Sequence, residues 1–289
     1  MRIEVRDLSV RFGRNVAVDG PSFTLDGDKV YGLLGRNGAG KTTLLSVLAA
    51  FRRANAGTVR VDGEDPFEHP TLTRDICFVR DRVDAEDTDR VRRVLQRARD
   101  LRPYWDDAYA AKLTELFHLA TDRKISALSR GMKSALAITV GLATRAPLTL
   151  FDEPFLGLDA PSRRVFYDEL LADYLAHPRT VVLSTHLIDE IAPLFEEVII
   201  IDRGRLMLHE ETDALRSRGA TVTGPAEAVD RFVGDMVVLS ERRLGPTKSV
   251  TVMGSLGPEW RLAAQGLDLE IGPVGLQDLF VHLTREERP

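Results

Sequence analysis

The sequence predicts an α/β fold built on a parallel sheet, with a small α+β module at its C-terminal end. A glycine-rich segment, residues 35–42, lies between an apolar run at 30–34 and a helical pattern at 43–48. Short apolar runs alternate with helical patterns further along the chain, at 148–151, 180–184 and 198–201. Such continuous apolar strands are typical of a parallel sheet covered on both faces. After about residue 218, short strands and helices follow each other in a different order.

Composition limits the classes of protein that fit. A chain of 289 residues holds one large α/β domain with an addition, or two modest domains. The 44 acidic and 39 basic residues are interspersed and give a net charge of -5, so we expect no nucleic-acid partner. Cys77 is the single cysteine and lies in an apolar run, which excludes an internal disulfide and favours a core position in a reduced, cytosolic compartment.

No targeting or membrane-spanning segment is expected. The first residues alternate polar and apolar side chains and lack the apolar centre of a secretion signal. The best candidate for a span, residues 134–151, contains Arg145 and Pro147. A role at a membrane would therefore require a partner that supplies the span.

The first 80 residues predict mainly β-structure. Apolar or alternating runs separated by glycine-containing turns occur at 3–10, 22–25, 30–34, 58–61 and 76–79. Between Asp81 and Ala127 the period becomes helical, and the apolar residues that share one face are Val91, Val94, Leu95, Ala98 and Leu101. The opposite face of this helical insertion carries Arg90, Arg92, Arg93, Arg97, Arg99 and Arg102. That face is either solvated or a surface for a partner.

The C-terminal part predicts a separate small module. The predicted order is strand, helix, strand, strand, helix and strand, at 221–223, 226–232, 236–239, 249–253, 258–264 and 267–271. This order is typical of split βαβ modules. A last helix at 275–283 could pack on either domain. The module is either a ligand-sensing or dimerising domain that regulates the rest of the chain, or a packing extension.

The glycine-rich segment predicts a phosphate-binding loop. A helix N-terminus presents unpaired N–H groups and a positive dipole end to an anion, and glycines let the backbone curve around it. Lys41 would reach the β- and γ-phosphates of a nucleotide, and the Thr42 hydroxyl would bind Mg²⁺. The predicted nucleotide-binding residues here are Gly35, Arg36, Asn37, Gly38, Ala39, Gly40, Lys41, Thr42 and Thr43.

Acidic residues and a histidine follow two of the predicted strands. Asp152 and Glu153 end the run at 148–151, and His186 follows the run at 180–184. Ligands of open α/β sheets bind at these carboxyl ends of the strands. Asp152 would bind Mg²⁺, Glu153 would act as general base for a water molecule, and His186 would orient that water or Glu153.

Residues 128–133, LSRGMK, resemble the signature motif of the ATP-binding cassette family. The phosphate loop, this motif, Asp152 and Glu153, the turn Gly157-Leu158-Asp159 and His186 follow one another in the family order. The resemblance covers about residues 1–215. It implies a phosphate-loop ATPase fold with an antiparallel β portion and a helical subdomain, at about 82–145. The remaining residues, 219–289, form the accessory module.

The resemblance also implies roles for single residues. Phe12 is similar to the aromatic residue that stacks on adenine, although ordinary hydrophobic packing is the alternative. Ser129 and Gly131 resemble the residues that hold the γ-phosphate of ATP bound to the other protomer, and Asp159 resembles the residue that couples the two sites. The family therefore implies a head-to-tail homodimer with two ATP molecules between the protomers.

Two positions depart from the family pattern. Asp81 stands where the family usually has a glutamine that links Mg²⁺ to the helical subdomain, and aspartate is shorter and lacks the amide donor. Arg130 replaces the usual first glycine of the signature motif, and either favours the γ-phosphate or faces solvent. This variant, together with Tyr104-Trp105-Asp106, resembles the subgroup that pairs with separate exporter-type membrane subunits.

The leading hypothesis is thus the ATPase subunit of an exporter, located in the cytoplasm on the inner face of the cell membrane. ATP binding would close the dimer and hydrolysis would reopen it. The alternative is a soluble cassette ATPase that acts on ribosomes or nucleic acid, a class that usually has two fused cassettes or a long coiled-coil insertion. The transported substrate, whether drug, peptide or lipid, is selected by membrane subunits outside this chain.

Overall fold

A computed structural model describes residues 1–80, 85–254 and 258–284. The first part of the chain forms, in order, β1 (Ile3–Phe12), β2 (Asn15–Asp19), β3 (Phe23–Leu25), β4 (Val30–Leu34), α1 (Lys41–Leu48), β5 (Ala56–Val61), α2 (Leu72–Asp75) and β6 (Ile76–Val79). The predicted strands are all present. The strand β2 and the short helix α2 were not predicted, because their sequences show neither a strong alternation nor a full helical period.

The antiparallel part of the fold is a small sheet around β1. Its order is β2-β1-β3, and β5 also pairs with β1. All three of these pairings are antiparallel, as the family resemblance implies. The strand β1 extends two residues beyond the predicted run at 3–10, so that Phe12 is its last residue and pairs with Asn15.

The helical insertion follows β6. Its elements are α3 (Val91–Leu101), α4 (Asp107–Leu116), a 3₁₀ turn (Ile125–Ala127) and α5 (Arg130–Thr144). The side chain of Asp106 caps α4 by accepting a hydrogen bond of 2.8 Å from the Tyr109 N–H. The predicted apolar face of α3 is buried at Val91 and Val94, whereas Leu101 is 64% exposed. The apolar face is therefore covered only in the first half of α3.

The arginines of the insertion have acidic neighbours within the same region. Arg93 and Arg97 each lie 3.5 Å from Asp89. Arg92 forms an ion pair with Asp122, and Arg99 forms one with Asp107. Arg102 is wrongly assigned to the solvated face, because its guanidinium donates to the carbonyl of Ile76, 2.9 Å away, and is partly buried. Local carboxylates thus balance much of this positive charge.

The second half of the α/β region completes a larger sheet. Its elements are β7 (Leu148–Asp152), α6 (Ala160–Ala176), β8 (Thr180–Thr185), α7 (Ile188–Ile191), a 3₁₀ turn (Ala192–Leu194), β9 (Glu197–Asp202) and β10 (Arg205–Glu211). The sheet order is β10-β9-β4-β8-β7-β6. The pairs β4/β8, β8/β7 and β7/β6 are parallel, as predicted. Every residue of β4, β7 and β8 is buried, which explains their continuous apolar runs.

One hydrophobic core joins the two sheets. It combines side chains of the antiparallel sheet, of α1 and of the larger sheet, among them Val5, Leu45, Leu33 and Leu150. Helix α1 is thereby fixed by burial of its apolar face. The phosphate loop, which leads from β4 into α1, is held between these two fixed elements.

The C-terminal module has the predicted order of elements from β11 onward. Helix α8 (Thr212–Arg216), which was not predicted, comes before β11 (Gly219–Pro225), α9 (Ala226–Val233), β12 (Val238–Leu244), β13 (Thr247–Met253), α10 (Pro258–Gln265), β14 (Glu270–Pro273) and α11 (Leu276–Leu283). Strands β11 to β14 form an antiparallel sheet in the order β12-β13-β11-β14. Its separate core includes Val222, Phe232 and Val252.

The chain divides into two compact units. The first comprises residues 1–186 and 199–209, and the second comprises 187–198 and 210–289. Helix α11 belongs to the second unit. The domain limits expected from the sequence, 1–215 and 219–289, stay a prediction.

None of the helices within the described residues combines the length and apolar character needed to cross a membrane.

Candidate active site

A cleft of about 970 Å³ lies in the first unit. Among its lining residues are Phe12, residues 37–43, Asp152, Glu153 and His186. These residues come from four separate parts of the sequence. The structure therefore brings together the phosphate loop, both acidic residues and the histidine that the sequence singled out.

Glycines shape the loop at two close approaches. Gly40 has a φ of +102°, and a Cβ atom there would lie 2.3 Å from the carbonyl oxygen of Ala17. A Cβ atom on Gly35 would lie 2.6 Å from the carbonyl oxygen of Ile201. Any side chain at either position would require the backbone to move. The loop closes with an N–H of Ala39 donating to the Arg36 carbonyl at 3.0 Å.

Lys41 is held inside the cleft. Its side chain is buried, and its ammonium group donates to the carbonyl of Gly35 at 2.7 Å. The same group lies 3.4 Å from a carboxylate oxygen of Glu153. Thr42, next to it at the start of α1, is exposed to the cleft. The loop thus presents a cation and a hydroxyl group side by side.

Glu153 has an unusual backbone conformation. Its φ is +47°, in the left-handed region that non-glycine residues rarely occupy. Its N–H donates to the hydroxyl of Ser184 at 3.0 Å and lies 3.3 Å from the Ser184 carbonyl. Its carboxylate forms a hydrogen bond with Nδ1 of His186. The turn after β7 therefore directs this carboxylate toward both Lys41 and His186.

Ser184 is a residue of the site that the sequence did not reveal. It is fully buried in β8, opposite Asp152 in β7, and its hydroxyl donates to Oδ1 of Asp152 at 2.7 Å. The available signal was a polar residue inside an apolar strand, two positions before His186. Arg80 and Arg203 also line the cleft and were missed, since neither belongs to a recognisable motif.

Phe12 lies at the mouth of the cleft with 45% of its surface exposed. The guanidinium carbon of Arg52 lies 4.3 Å from the centre of its ring, a distance typical of a cation–π contact. An exposed aromatic ring at this position offers a stacking surface for a base.

The signature residues lie elsewhere in the first unit. Ser129 and Asp159 cap α5 and α6, accepting hydrogen bonds from the N–H groups of Met132 at 3.2 Å and Ser162 at 2.9 Å. Hydrogen bonds from the hydroxyl and N–H of Ser162 lower the pKa of Asp159 below its ordinary value. Neither Ser129 nor Asp159 is among the residues that line the cleft.

Gly131 packs directly against the turn that precedes Asp159. A Cβ atom on Gly131 would lie 2.5 Å from the carbonyl oxygen of Gly157. A Cβ atom on Gly157 would in turn lie 3.0 Å from a side-chain carbon of Arg130. Arg130 itself is exposed. The signature segment and the turn at 157–159 therefore form one surface. Like Ser129 and Asp159, Gly131 does not line the cleft.

Asp81, a predicted metal residue, lies outside the described residues. Within the described ranges, no three histidine, cysteine or acidic side chains cluster as a metal site would need. Mg²⁺ in nucleotide sites usually needs only one or two protein oxygens, because phosphates and water supply the rest. Asp152 and Thr42 both line the cleft and offer oxygen atoms, so the donor set fits Mg²⁺.

Comparisons with known proteins give consistent matches. A family model described as ABC transporter matches residues 18–156. The chain is 29% identical to the Nod factor export ATP-binding protein I of Burkholderia lata, over 99% of this chain and 97% of that protein. It is 30% identical to the doxorubicin resistance ATP-binding protein DrrA of Mycobacterium tuberculosis, over 86% of this chain and 72% of that protein.

The fold is also similar to solved structures. A structure described as the ATP binding subunit of an ABC transporter matches with a TM-score of 0.67 and 23% identity. The match covers 75% of this chain and 92% of that one. This likeness confirms the fold predicted from the sequence.

Proposed function

Since the chain belongs to the ABC transporter family of ATP-binding proteins and is an ATPase, we propose that it powers an exporter through separate membrane subunits. The observation that carries the site assignment is the convergence of Lys41, Glu153 and His186 in one cleft with the phosphate loop. The names of the two relatives, one a Nod factor export protein and one a doxorubicin resistance protein, support the direction of transport.

The loop and its helix bind the phosphates of ATP. The first residues of α1 line the cleft, where a helix N-terminus favours an anion. The ammonium group of Lys41 bonds to the β- and γ-phosphates, in exchange for part of its present contacts with Gly35 and Glu153. Phe12 stacks on the adenine ring.

Glu153 acts as the general base. A water molecule attacks the γ-phosphorus while the bond between that phosphorus and the bridging oxygen of ADP breaks, and Glu153 accepts the proton of the water. His186, bonded to the same carboxylate, keeps its orientation. The partial burial of Glu153 limits competition from bulk water.

Thr42 and Asp152 hold Mg²⁺ in this proposal. When bound, Mg²⁺ would neutralise negative charge on the β- and γ-phosphates. Both oxygen donors line the same cleft, Thr42 from the start of α1 and Asp152 from the end of β7.

The complete site requires a second copy of the chain. Ser129, Gly131 and Asp159 do not line the cleft of their own chain, although they share one surface. A head-to-tail homodimer would bring the signature surface of one protomer onto the γ-phosphate bound by its partner. Helix-capping by Ser129 gives that surface a helix N-terminus, which suits an anionic group.

A membrane partner would bind the helical insertion, and the chain would lie on the cytoplasmic face of the cell membrane. A groove of about 240 Å³ there is lined by Phe51, Phe78, Val94 and Leu101 among others. Phe51 and Leu101 are more than half exposed, and Arg97 and Arg102 border the same groove. An apolar segment from a membrane subunit fits such a groove.

ATP hydrolysis by the purified full chain tests the site. The wild type should release phosphate from ATP, and Lys41→Ala should abolish the release because the phosphates lose their buried cation. Lys112→Ala is the matched control, since Lys112 is an exposed lysine of α4 in the insertion and is paired with Glu169 of α6. Equal hydrolysis by Lys41→Ala and the wild type would contradict the proposed site.

Reconstitution tests the transport function. The chain should co-purify with an integral membrane protein, and ATP added outside proteoliposomes containing both should drive substrate into the lumen when the chain faces outward. Movement out of the lumen under the same conditions would indicate import. Co-purification with ribosomes or nucleic acid would overturn the transporter assignment.

A further inference from the structure

We propose that Ser184 is a positioning residue that fixes the orientation of two carboxylates, the metal-binding one of Asp152 and the proton-accepting one of Glu153. The inference rests on the proposed roles of Asp152 and Glu153. It concerns a residue that belongs to no recognised motif and is not itself among the residues that line the cleft.

The Ser184 hydroxyl bridges two consecutive residues of the site. It donates its single proton to Oδ1 of Asp152 at 2.7 Å and accepts the N–H of Glu153 at 3.0 Å. Both interactions are fixed by strand pairing, because Asp152 lies opposite Ser184 in the parallel ladder of β7 and β8. Ser184 is fully buried, so bulk solvent does not reach its hydroxyl group.

Each bond constrains a different carboxylate. The bond to Oδ1 leaves Asp152 one free oxygen and fixes the rotation of its side chain. The bond from the Glu153 N–H stabilises the left-handed backbone conformation of Glu153. This conformation is unfavourable for residues other than glycine. This backbone conformation decides where the Glu153 side chain leaves the turn.

An apolar residue at position 184 would remove both constraints together. Asp152 would lose its donor, and Glu153 would keep only the weaker contact of its N–H with the carbonyl at 3.3 Å. The phosphate loop, whose residues bind ATP, is not bonded to Ser184. We therefore expect an effect on the rate of the chemical step and not on the affinity for ATP.

A purely structural role predicts a different result. If the Ser184 hydroxyl only stabilised the packing of the strands, its removal would lower thermal stability and leave kcat unchanged. Thr149 provides the matched control, since it is a fully buried hydroxyl residue of the adjacent strand β7 that donates to the carbonyl of Ala146 at 3.0 Å. Thr149→Val removes a buried hydroxyl from the same sheet without touching a carboxylate.

The experiment compares Ser184→Ala, Thr149→Val and Glu153→Gln with the wild type. ATP affinity is measured with a fluorescent ATP analogue, hydrolysis by phosphate release, and stability by thermal unfolding. Ser184→Ala should lower kcat roughly 10- to 100-fold, the range for a misplaced catalytic group, with KM and analogue affinity within about twofold of wild type. Thr149→Val should lower the melting temperature about as much as Ser184→Ala does, and should keep kcat within about twofold of wild type.

Two outcomes would overturn the inference. One is a kcat of Ser184→Ala within about twofold of wild type, and the other is an equal loss in Thr149→Val. If Ser184→Ala does not fold, Ser184→Cys keeps the size with a weaker donor, and the same criteria apply. Failure of the proposed function is recognised separately, because the wild type would then show no hydrolysis or Glu153→Gln would retain it.

Discussion

The ammonium group of Lys41 lies 3.4 Å from a carboxylate oxygen of Glu153, and the two side chains are only 7% and 14% exposed. The cation that the phosphate loop offers to ATP is thus the partner of the proposed base. In the proposed mechanism, ATP competes with Glu153 for this cation. Occupation of the loop by phosphate therefore weakens the hold of Lys41 on the carboxylate that accepts the proton.

Glu153→Gln should separate ATP binding from hydrolysis. The amide keeps the size of the side chain but cannot accept a proton from water, so we expect turnover to fall roughly 10²- to 10⁴-fold. ATP should then hold two protomers together, which light scattering after size-exclusion chromatography would detect. Hydrolysis by the variant at the wild-type rate would remove Glu153 from the role of base.

Phe12→Ala should weaken nucleotide binding. The loss of a stacked base is worth about 1–3 kcal/mol, which is roughly 5- to 150-fold in the dissociation constant. Phe12→Trp should retain affinity, because the larger ring stacks as well. Titration with a fluorescent ATP analogue measures both.

Phe51→Ala is the control for Phe12, as Phe51 is also exposed but does not line the cleft. If Phe12→Ala and Phe51→Ala bind the analogue with the same affinity as wild type, Phe12 packs as an ordinary hydrophobic residue.

Ser129→Arg should block ATP-dependent dimerisation and leave binding by one chain intact. Ser129 is exposed and does not line the cleft of its own chain, so a bulky cation there would obstruct only the partner. The measurement uses the Glu153→Gln background with ATP. Ser126→Arg, a change at an exposed serine three residues earlier, should dimerise normally. Impaired ATP binding by monomeric Ser129→Arg would refute the division into half-sites.

Arg179→Met should destabilise the first unit strongly. Arg179 and Asp173 are both buried and lie 2.7 Å apart, and Asp173 is also 3.0 Å from Arg145. Removing Arg179 takes away one of the two cationic partners of the buried Asp173, at up to about 3–5 kcal/mol of unfolding free energy. Thermal denaturation should show a melting temperature lower by roughly 10 °C.

The control for Arg179 lies on the surface of α6. Arg164 forms an exposed ion pair with Asp168, and Arg164→Met should leave the melting temperature nearly unchanged. A similar small effect of Arg179→Met would show that the buried pair contributes little to stability.

Cys77 should resist thiol reagents in the folded protein. Burial disfavours the thiolate and raises the pKa of Cys77 above its ordinary value. A disulfide reagent at pH 8 should react slowly with native protein and rapidly after denaturation in guanidinium chloride. Rapid stoichiometric reaction in the native state would contradict a core position for Cys77.

The sequence by itself determined the class of fold and the candidate binding groups. Continuous apolar runs end in Asp152 and His186, and the glycines of the phosphate loop precede Lys41, because a buried parallel strand and a tight loop each demand a particular local composition. The order of these motifs also determined the family. Strand β2 and the partly buried Arg102 were misjudged, since their environment depends on residues distant in the chain.

Only the tertiary structure decided how these groups meet. Strand pairing places Ser184 opposite Asp152, although 31 positions separate Ser184 from Glu153, to which it is also bonded. The left-handed backbone of Glu153 and the contact of its carboxylate with Lys41 depend likewise on that pairing. Local pattern encodes which side chains face inward, whereas the register between strands and the packing of loops fix the distances on which the chemistry depends.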